Sequence, residues 1–134
     1  MQKDFKARIF TDGGSRGNPG PAAIGVVVEF DNKVKKYNKK IGRATNNEAE
    51  YKAVIFALKK ARALGIKEVA VYSDSELIAS QLNRKFKVKD ARIQSLFVEV
   101  WNLTINFRKV TFHHIPRSEN READNLVNKT LDFK

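Results

Sequence analysis

The sequence predicts an α/β fold: a mixed five-stranded sheet flanked by helices, in the order βββαβααβα. Three observations carry this. Short β-branched segments separated by turn residues open the chain, one long segment then repeats its apolar residues at helical spacing, and strand and helix alternate afterwards. Three meandering antiparallel strands followed by two that arrive through helical crossovers make an α/β sandwich.

Residues 7–12 alternate as a strand, with Ala7, Ile9 and Thr11 on one side and Arg8, Phe10 and Asp12 on the other. The Gly- and Pro-rich stretch 13–21 breaks that pattern and predicts a turn. Residues 23–30 are β-branched and apolar, Asp31-Asn32 is turn-like, and residues 33–41 carry Val34, Tyr37 and Ile41 among lysines. Residues 45–64 are the clearest helix: Val54, Ala57, Leu58, Ala61 and Leu64 form an apolar stripe and Gly65 supplies the stop. A short strand over 69–73 and a helix over 75–82 follow. Residues 83–92 are basic and irregular, and a helix over 93–107, a strand over 110–115 and a helix over 119–131 complete the chain.

At 134 residues the chain fits one domain, spanning 1–134, with enough length to bury one core. It has no cysteine, which excludes disulfides and thiolate metal sites. No apolar run approaches the roughly 18 residues of a membrane span, and residues 1–6 are too polar to open a signal peptide, so a cytoplasmic protein without a membrane partner is expected. There are 26 Lys plus Arg against 15 Asp plus Glu, a net charge of +11. That excess favours a polyanionic partner through counterion release, and it equally suits a basic protein kept soluble by its charge. High charge with one Met and no Cys also suits a thermophile.

Four acidic residues stand at the ends or edges of elements beside small or polar neighbours: Asp12, Glu50, Asp74 and Asp124. Asp12 precedes Gly13 and Gly14, whose small size would let a phosphate backbone come close. Asp74 leaves the end of an apolar strand, where open α/β sheets bind ligands. Glu50 lies four residues before Val54, on the inward face of its helix, and Asp124 lies near the start of the last helix. Each has a local alternative as a helix cap or a partner of the helix macrodipole. If the four converge, they need cations. Hard oxygen ligands favour Mg²⁺ or Mn²⁺ over Zn²⁺, and two such ions roughly 4 Å apart suit phosphodiester hydrolysis.

Taken together, Thr11-Asp12-Gly13-Gly14-Ser15-Arg16-Gly17-Asn18-Pro19-Gly20, Thr45-Asn46-Asn47-Glu48-Ala49-Glu50, Tyr72-Ser73-Asp74-Ser75 and Glu119-Asn120-Arg121-Glu122-Ala123-Asp124 resemble, in order, the motifs of type 1 ribonuclease H. The match covers nearly the whole chain, in a short form without the family's basic protrusion. The resemblance implies a ribonuclease H-like sheet of three antiparallel strands then two parallel ones. It implies an endonuclease that cuts the RNA strand of RNA/DNA hybrids, with Asp12, Glu50, Asp74 and Asp124 holding two Mg²⁺ ions, Mn²⁺ being an alternative. Products would carry 5′-phosphate and 3′-hydroxyl ends. It further implies that the Gly13 and Gly14 backbone, Asn18, Asn46, Asn47 and Glu50 read successive 2′-hydroxyls across the minor groove. Thr45 would grip a phosphate of the DNA strand, and Ser15 and Arg16 would act similarly. Asn46 and Asn47 have an alternative as caps of their helix.

The chain departs from the family pattern in places. His114 stands ten residues before Asp124, the spacing of a mobile His that assists product release, yet it reads as the end of a strand. With the strand aligned instead, the loop is shortened and Arg117 is the candidate substitute. The basic segment containing Lys85, Phe86, Lys87 and Lys89 is either a phosphate grip or a solvated linker. Glu76 replaces an amide that contacts nucleic acid in some members. No attached hybrid-binding domain is expected, and the core is expected to bind alone, as a monomer with no obligate protein partner. Two competing readings stay open, a catalytically silent nucleic-acid-binding module and another polynucleotidyl transferase, such as an integrase or Holliday-junction nuclease core.

Overall fold

The computed structural model describes residues 6–132. In chain order these form β1 (Lys6–Ser15), β2 (Gly20–Phe30), β3 (Lys33–Ala44), α1 (Asn46–Ala63), β4 (Glu68–Ser73), α2 (Glu76–Leu82), α3 (Ala91–Thr104), β5 (Lys109–His114), a 3₁₀ turn (Arg117–Glu119) and α4 (Arg121–Asp132). The five strands lie in the order β3-β2-β1-β4-β5. β1 pairs antiparallel with β2 and β2 with β3, while β1–β4 and β4–β5 are parallel, as the sequence predicts.

The expected turn over 13–21 is shorter. Gly13, Gly14 and Ser15 continue β1, opposite Ile24, Ala23 and Ala22, and the reversal shrinks to residues 16–19, closed by Arg16 N–H donating to Pro21 O at 2.8 Å. The glycines do not break the strand because β2 supplies ladder partners along their whole length. The last helix also starts later than expected, since residues 117–119 wind as a 3₁₀ turn before it.

One face of the sheet carries the main core. Ile9, Val26, Val28 and Val71 meet the α1 stripe of Val54, Ala57, Leu58 and Ala61, and Ile93, Val100 and Phe107 pack behind it. α4 lies on the opposite face of β1, β2 and β3, burying Ala123 and Val127. Gly25 permits this: a Cβ there would stand 2.4 Å from Ala123 O and 2.9 Å from Leu126 Cβ. On the β4–β5 half of that face, Phe10, Tyr72 and His113 stack across three strands at centroid distances of 5.1 and 5.0 Å.

Candidate active site

The site lies where β4 stops and β1 goes on. Thr11 pairs with Ser73, the last residue of β4, so beyond it β1 has no strand neighbour on that edge. Buried backbone groups need partners, and here side chains supply them. Thr11 O accepts from Asn120 Nδ2 at 2.9 Å, Gly13 N–H donates to Glu50 Oε1 at 2.6 Å, and Ser15 N–H donates to Asn46 Oδ1 at 2.9 Å. Three residues from α1 and from the entry to α4 thus replace the missing strand.

Gly13 is what lets α1 come so close. A Cβ at that position would lie 2.3 Å from the backbone C and O of Ala49 and 2.6 Å from Glu50 N. The small size ascribed from sequence to phosphate approach is, at Gly13, taken up by the helix. Glu50, one turn before Val54 on the inward face, is thereby delivered to the strand end.

Asp12, Glu50, Asp74 and Asp124 all line one cleft of about 350 Å³. Asp12 and Glu50 are buried, and Asp74 and Asp124 half-buried. Carboxylate oxygens of Asp12, Glu50 and Asp74 lie within 4.8 Å of one another, and Asp124 stands beside Asp12. Burial, then the charges of Asp74 and Asp124, pushes the Asp12 carboxyl up from 3.8 to about 7. Burial, then the Asp12 charge, likewise holds Glu50 well above the usual carboxylate range, partly offset by the Gly13 hydrogen bond. The nearby Arg117 Nη2 is 3.5 Å from Asp124 Oδ1 on a side chain 78% exposed, where water screens the attraction. Two carboxylates about 4 Å apart repel by about 4 kcal/mol at an effective dielectric of 20, so the cluster carries a charge deficit that a hard divalent cation relieves.

Sequence reasoning does not single out Asn120 as a site residue. Its side chain is buried and its Nδ2 donates both to Thr11 O and, at 3.1 Å, to Asp74 Oδ2, joining β1 to the residue after β4. Its backbone O accepts from Asp124 N–H at 3.1 Å, so one residue ties the third and fourth carboxylates together. An amide four residues before the last Asp is the available signal, but its partners lie 46 and 109 residues away.

A family model described as reverse transcriptase-like matches residues 10–130. The ribonuclease HI of Halobacterium salinarum is 40% identical over 136 residues, covering 98% of this chain and 68% of that protein. The chain belongs to the ribonuclease H family. The crystal structure of the Halobacterium enzyme superposes with a TM-score of 0.91, at 38% identity, over 95% of this chain and 98% of that one. LC11-RNase H1, isolated from compost by a metagenomic approach and solved in complex with RNA/DNA hybrid, gives 0.86 at 40% identity over 92% of this chain and 94% of that one. A bifunctional protein of Mycobacterium tuberculosis is 42% identical over 131 residues, 96% of this chain but 36% of that protein. The chain therefore spans about a third of the length of these mycobacterial relatives.

The other ribonuclease H motif residues fall around the same opening. Gly13, Gly14, Ser15, Arg16, Asn46 and Asn47 line the acidic cleft. Asn18 and Thr45 line a second hollow of about 320 Å³ that shares Asn47. The cap of α1 is Thr45, in a reciprocal box with Glu48: Glu48 N–H donates to Thr45 Oγ1 at 3.1 Å and Thr45 N–H to Glu48 Oε1 at 2.9 Å. The alternative of Asn46 or Asn47 as cap is thereby excluded. Asn46 N–H donates to Asn18 Oδ1 at 2.9 Å, and Arg16 pairs with Asp132 at 2.8 Å.

His114 is the last residue of β5, exposed and opposite Ser73, and Arg117 instead lines the cleft. Between α2 and α3, Lys85, Phe86, Lys87 and Lys89 are exposed, and Arg84 stacks on Trp101 at 4.3 Å. Glu76 is the exposed first residue of α2, which Ser75 caps.

Proposed function

We propose that the chain is an endoribonuclease that hydrolyses the RNA strand of RNA/DNA hybrids, working as one catalytic domain over residues 1–134 and leaving 5′-phosphate and 3′-hydroxyl ends. The observation that carries this reading is the meeting of three carboxylates within 4.8 Å, beside a fourth, in a cleft rimmed by amides and glycine backbone. The likeness to ribonuclease HI proteins, one of them bound to a hybrid, supports it.

In this reading Asp12, Glu50, Asp74 and Asp124 hold two Mg²⁺ ions, which Mn²⁺ can replace. Such a pair, when bound, activates a water and stabilises the leaving oxygen. The chain's own residues position and recognise. Gly13 N–H fixes one Glu50 oxygen and Asn120 fixes one Asp74 oxygen, so two carboxylates from different elements are aimed before substrate arrives. The backbone of Gly13 and Gly14, with Asn18, Asn46, Asn47 and Glu50, faces the 2′-hydroxyls of the RNA strand. Thr45 Oγ1 accepts the cap bond and keeps its proton for a phosphate of the DNA strand. Arg16, in an exposed pair worth at most about 1 kcal/mol, exchanges Asp132 for phosphate, with Ser15 beside it. Arg117, next to Asp124, takes the place of the mobile His in product departure. Among the described residues no helix is long and apolar enough to cross a membrane. We place the enzyme in the cytoplasm as a monomer needing no protein partner.

The test is incubation with end-labelled RNA/DNA hybrid, double-stranded RNA and double-stranded DNA, each with Mg²⁺, Mn²⁺ or EDTA. Metal-dependent cutting of the RNA strand of the hybrid is expected. Binding of the hybrid without cutting in either metal would make the chain a silent binding module, and cutting of double-stranded DNA would make it another polynucleotidyl transferase.

A further inference from the structure

Residues 32–47 contain six cations, Lys33, Lys35, Lys36, Lys39, Lys40 and Arg43, and no acidic residue. All six lie in β3, the outer edge strand of the sheet, and all six are exposed. Lys36 is paired with Glu122 at 3.3 Å, whereas Lys33, Lys35 and Lys39 have no acidic partner among the described residues. Their odd positions put them on the α1 side of the sheet, with Tyr37 between, and Lys60 Nζ of α1 stands 5.2 Å above the Tyr37 ring. The result is a ridge of one sign, which ends at Ala44, immediately before Thr45 in the second hollow, which adjoins the cleft through Asn47.

We propose that this β3 ridge is a second contact surface for the nucleic-acid duplex, gripping the sugar-phosphate backbone of the part that leaves the cleft. It rests on the hybrid-nuclease reading for which duplex is bound. From Lys33 to Lys39 the strand rises about 20 Å, a length that faces roughly six phosphates of one strand. Lysines on an edge strand also prevent edge-to-edge pairing of sheets. Charge of either sign does that, however, and a run of 16 residues without one acid is what a phosphate backbone selects. The aromatic ring at the centre keeps Lys60 in the row, so the ridge draws on two elements.

Two triple variants of equal charge change separate the roles. Lys33, Lys35 and Lys39→Glu keeps the edge charged and removes the grip on phosphate, while Lys67, Arg108 and Lys109→Glu alters the opposite end of the sheet order. Binding is measured in EDTA over a salt series, on a hybrid of about 12 base pairs, which fills the cleft, and on hybrid and DNA duplexes of about 30, which reach the ridge. On the longer duplexes the β3 variant is expected to lower the salt exponent by about 2 to 3 more than the control variant, at about 0.9 for each phosphate that is no longer neutralised, with the two variants alike on the short hybrid. Equal exponents for both variants on the long duplexes would overturn the proposal. Melting and light scattering check that each variant is folded and monomeric, and Lys35 and Lys39→Gln, expected to lower the exponent by about 1 to 2, replaces a triple that is not. If the unaltered protein cuts no hybrid, the nuclease reading fails, and the exponents on DNA duplex still decide the ridge.

Discussion

The acidic cleft ought to weaken the fold whenever cations are withheld, and the size of the effect follows from Asp12. Its carboxyl is held at about 7 in the folded chain against 3.8 ordinarily, first by burial and then by Asp74 and Asp124. The folded form thus keeps a proton that the unfolded form has released, so stability is highest at the acid end of this interval and falls as pH rises from about 4 to about 7. At about 1.36 kcal/mol per pH unit the full interval amounts to about 4 kcal/mol, shared with the coupled Glu50, and corresponds to a melting-point change on the order of 10 °C. Above that window, divalent cations should restore what is lost, because they stabilise the folded chain by binding it alone. The perturbation is Asp12→Asn, which removes the charge at nearly constant shape. Thermal unfolding of both proteins is followed by circular dichroism in EDTA and in Mg²⁺ across the interval. In EDTA near neutral pH the variant should melt higher than the parent, the gap should close toward pH 4, and Mg²⁺ should stabilise the parent far more. A variant that melts no higher than the parent in EDTA at neutral pH would refute the argument that burial and like charge strain this site.

Asp74→Asn removes a proposed metal ligand and few substrate contacts, so turnover of hybrid should vanish while affinity in EDTA stays within a few-fold; retained Mg²⁺-dependent cutting would remove Asp74 from the site. Asn120→Ala leaves Thr11 O unpaired and Asp74 unrestrained, and should cost about 2 to 3 kcal/mol in denaturant unfolding and lower kcat more than it raises KM. A fall in stability with kcat intact would make Asn120 structural only. Gly13→Ala and Gly14→Ala should differ sharply, because the first Cβ meets Ala49 backbone at 2.3 Å and the second meets only Val127 Cγ1 at 3.2 Å. Melting should show a loss of about 3 kcal/mol or more at Gly13 and under about 1.5 at Gly14; equal losses would mean that α1 does not need the glycine.

The strands and the long helix are legible in the sequence because each has a period that one element imposes locally. The stripe of Val54, Ala57, Leu58 and Ala61 needs no knowledge of its partner to read as a buried face. Gly13 and Gly14 mislead for the same reason: locally a glycine pair signals a turn, whereas Gly13 is small to admit the backbone of Ala49 in α1, 36 residues later in sequence. Each carboxylate taken alone fits a cap as well as a cleft, and ordered motif resemblance, not spacing, joins them. The Thr45–Glu48 box, although written in the sequence, competes there with two adjacent asparagines that cap equally well in general. The local signature of Asn120, an amide four residues before Asp124, says nothing of its role, since a buried amide is defined by what it bonds across the fold. His114 matches a spacing, but spacing counts residues and not where a strand ends, and it is Arg117 that reaches the cleft.

The open edge of β1 explains why chemistry sits at this point and no other. Had β4 run two residues further, Thr11 O and Gly13 N–H would have met another strand, and neither Asn120 nor Glu50 would have had a reason to enter. Because β4 stops at Ser73, Asp74 is released from the ladder beside Asp12, and the unpaired backbone of β1 draws in side chains from α1 and from the approach to α4. The hydrogen bonds that satisfy the sheet edge are therefore the ones that aim the carboxylates. It follows that the repulsion among the four acids is opposed by backbone pairing more than by the protein's own cations, of which Arg117 reaches Asp124 at 3.5 Å on an exposed, screened side chain. The buried end of the cleft, at Asp12 and Glu50, is left short of positive charge and open to divalent ions and the phosphates they bind.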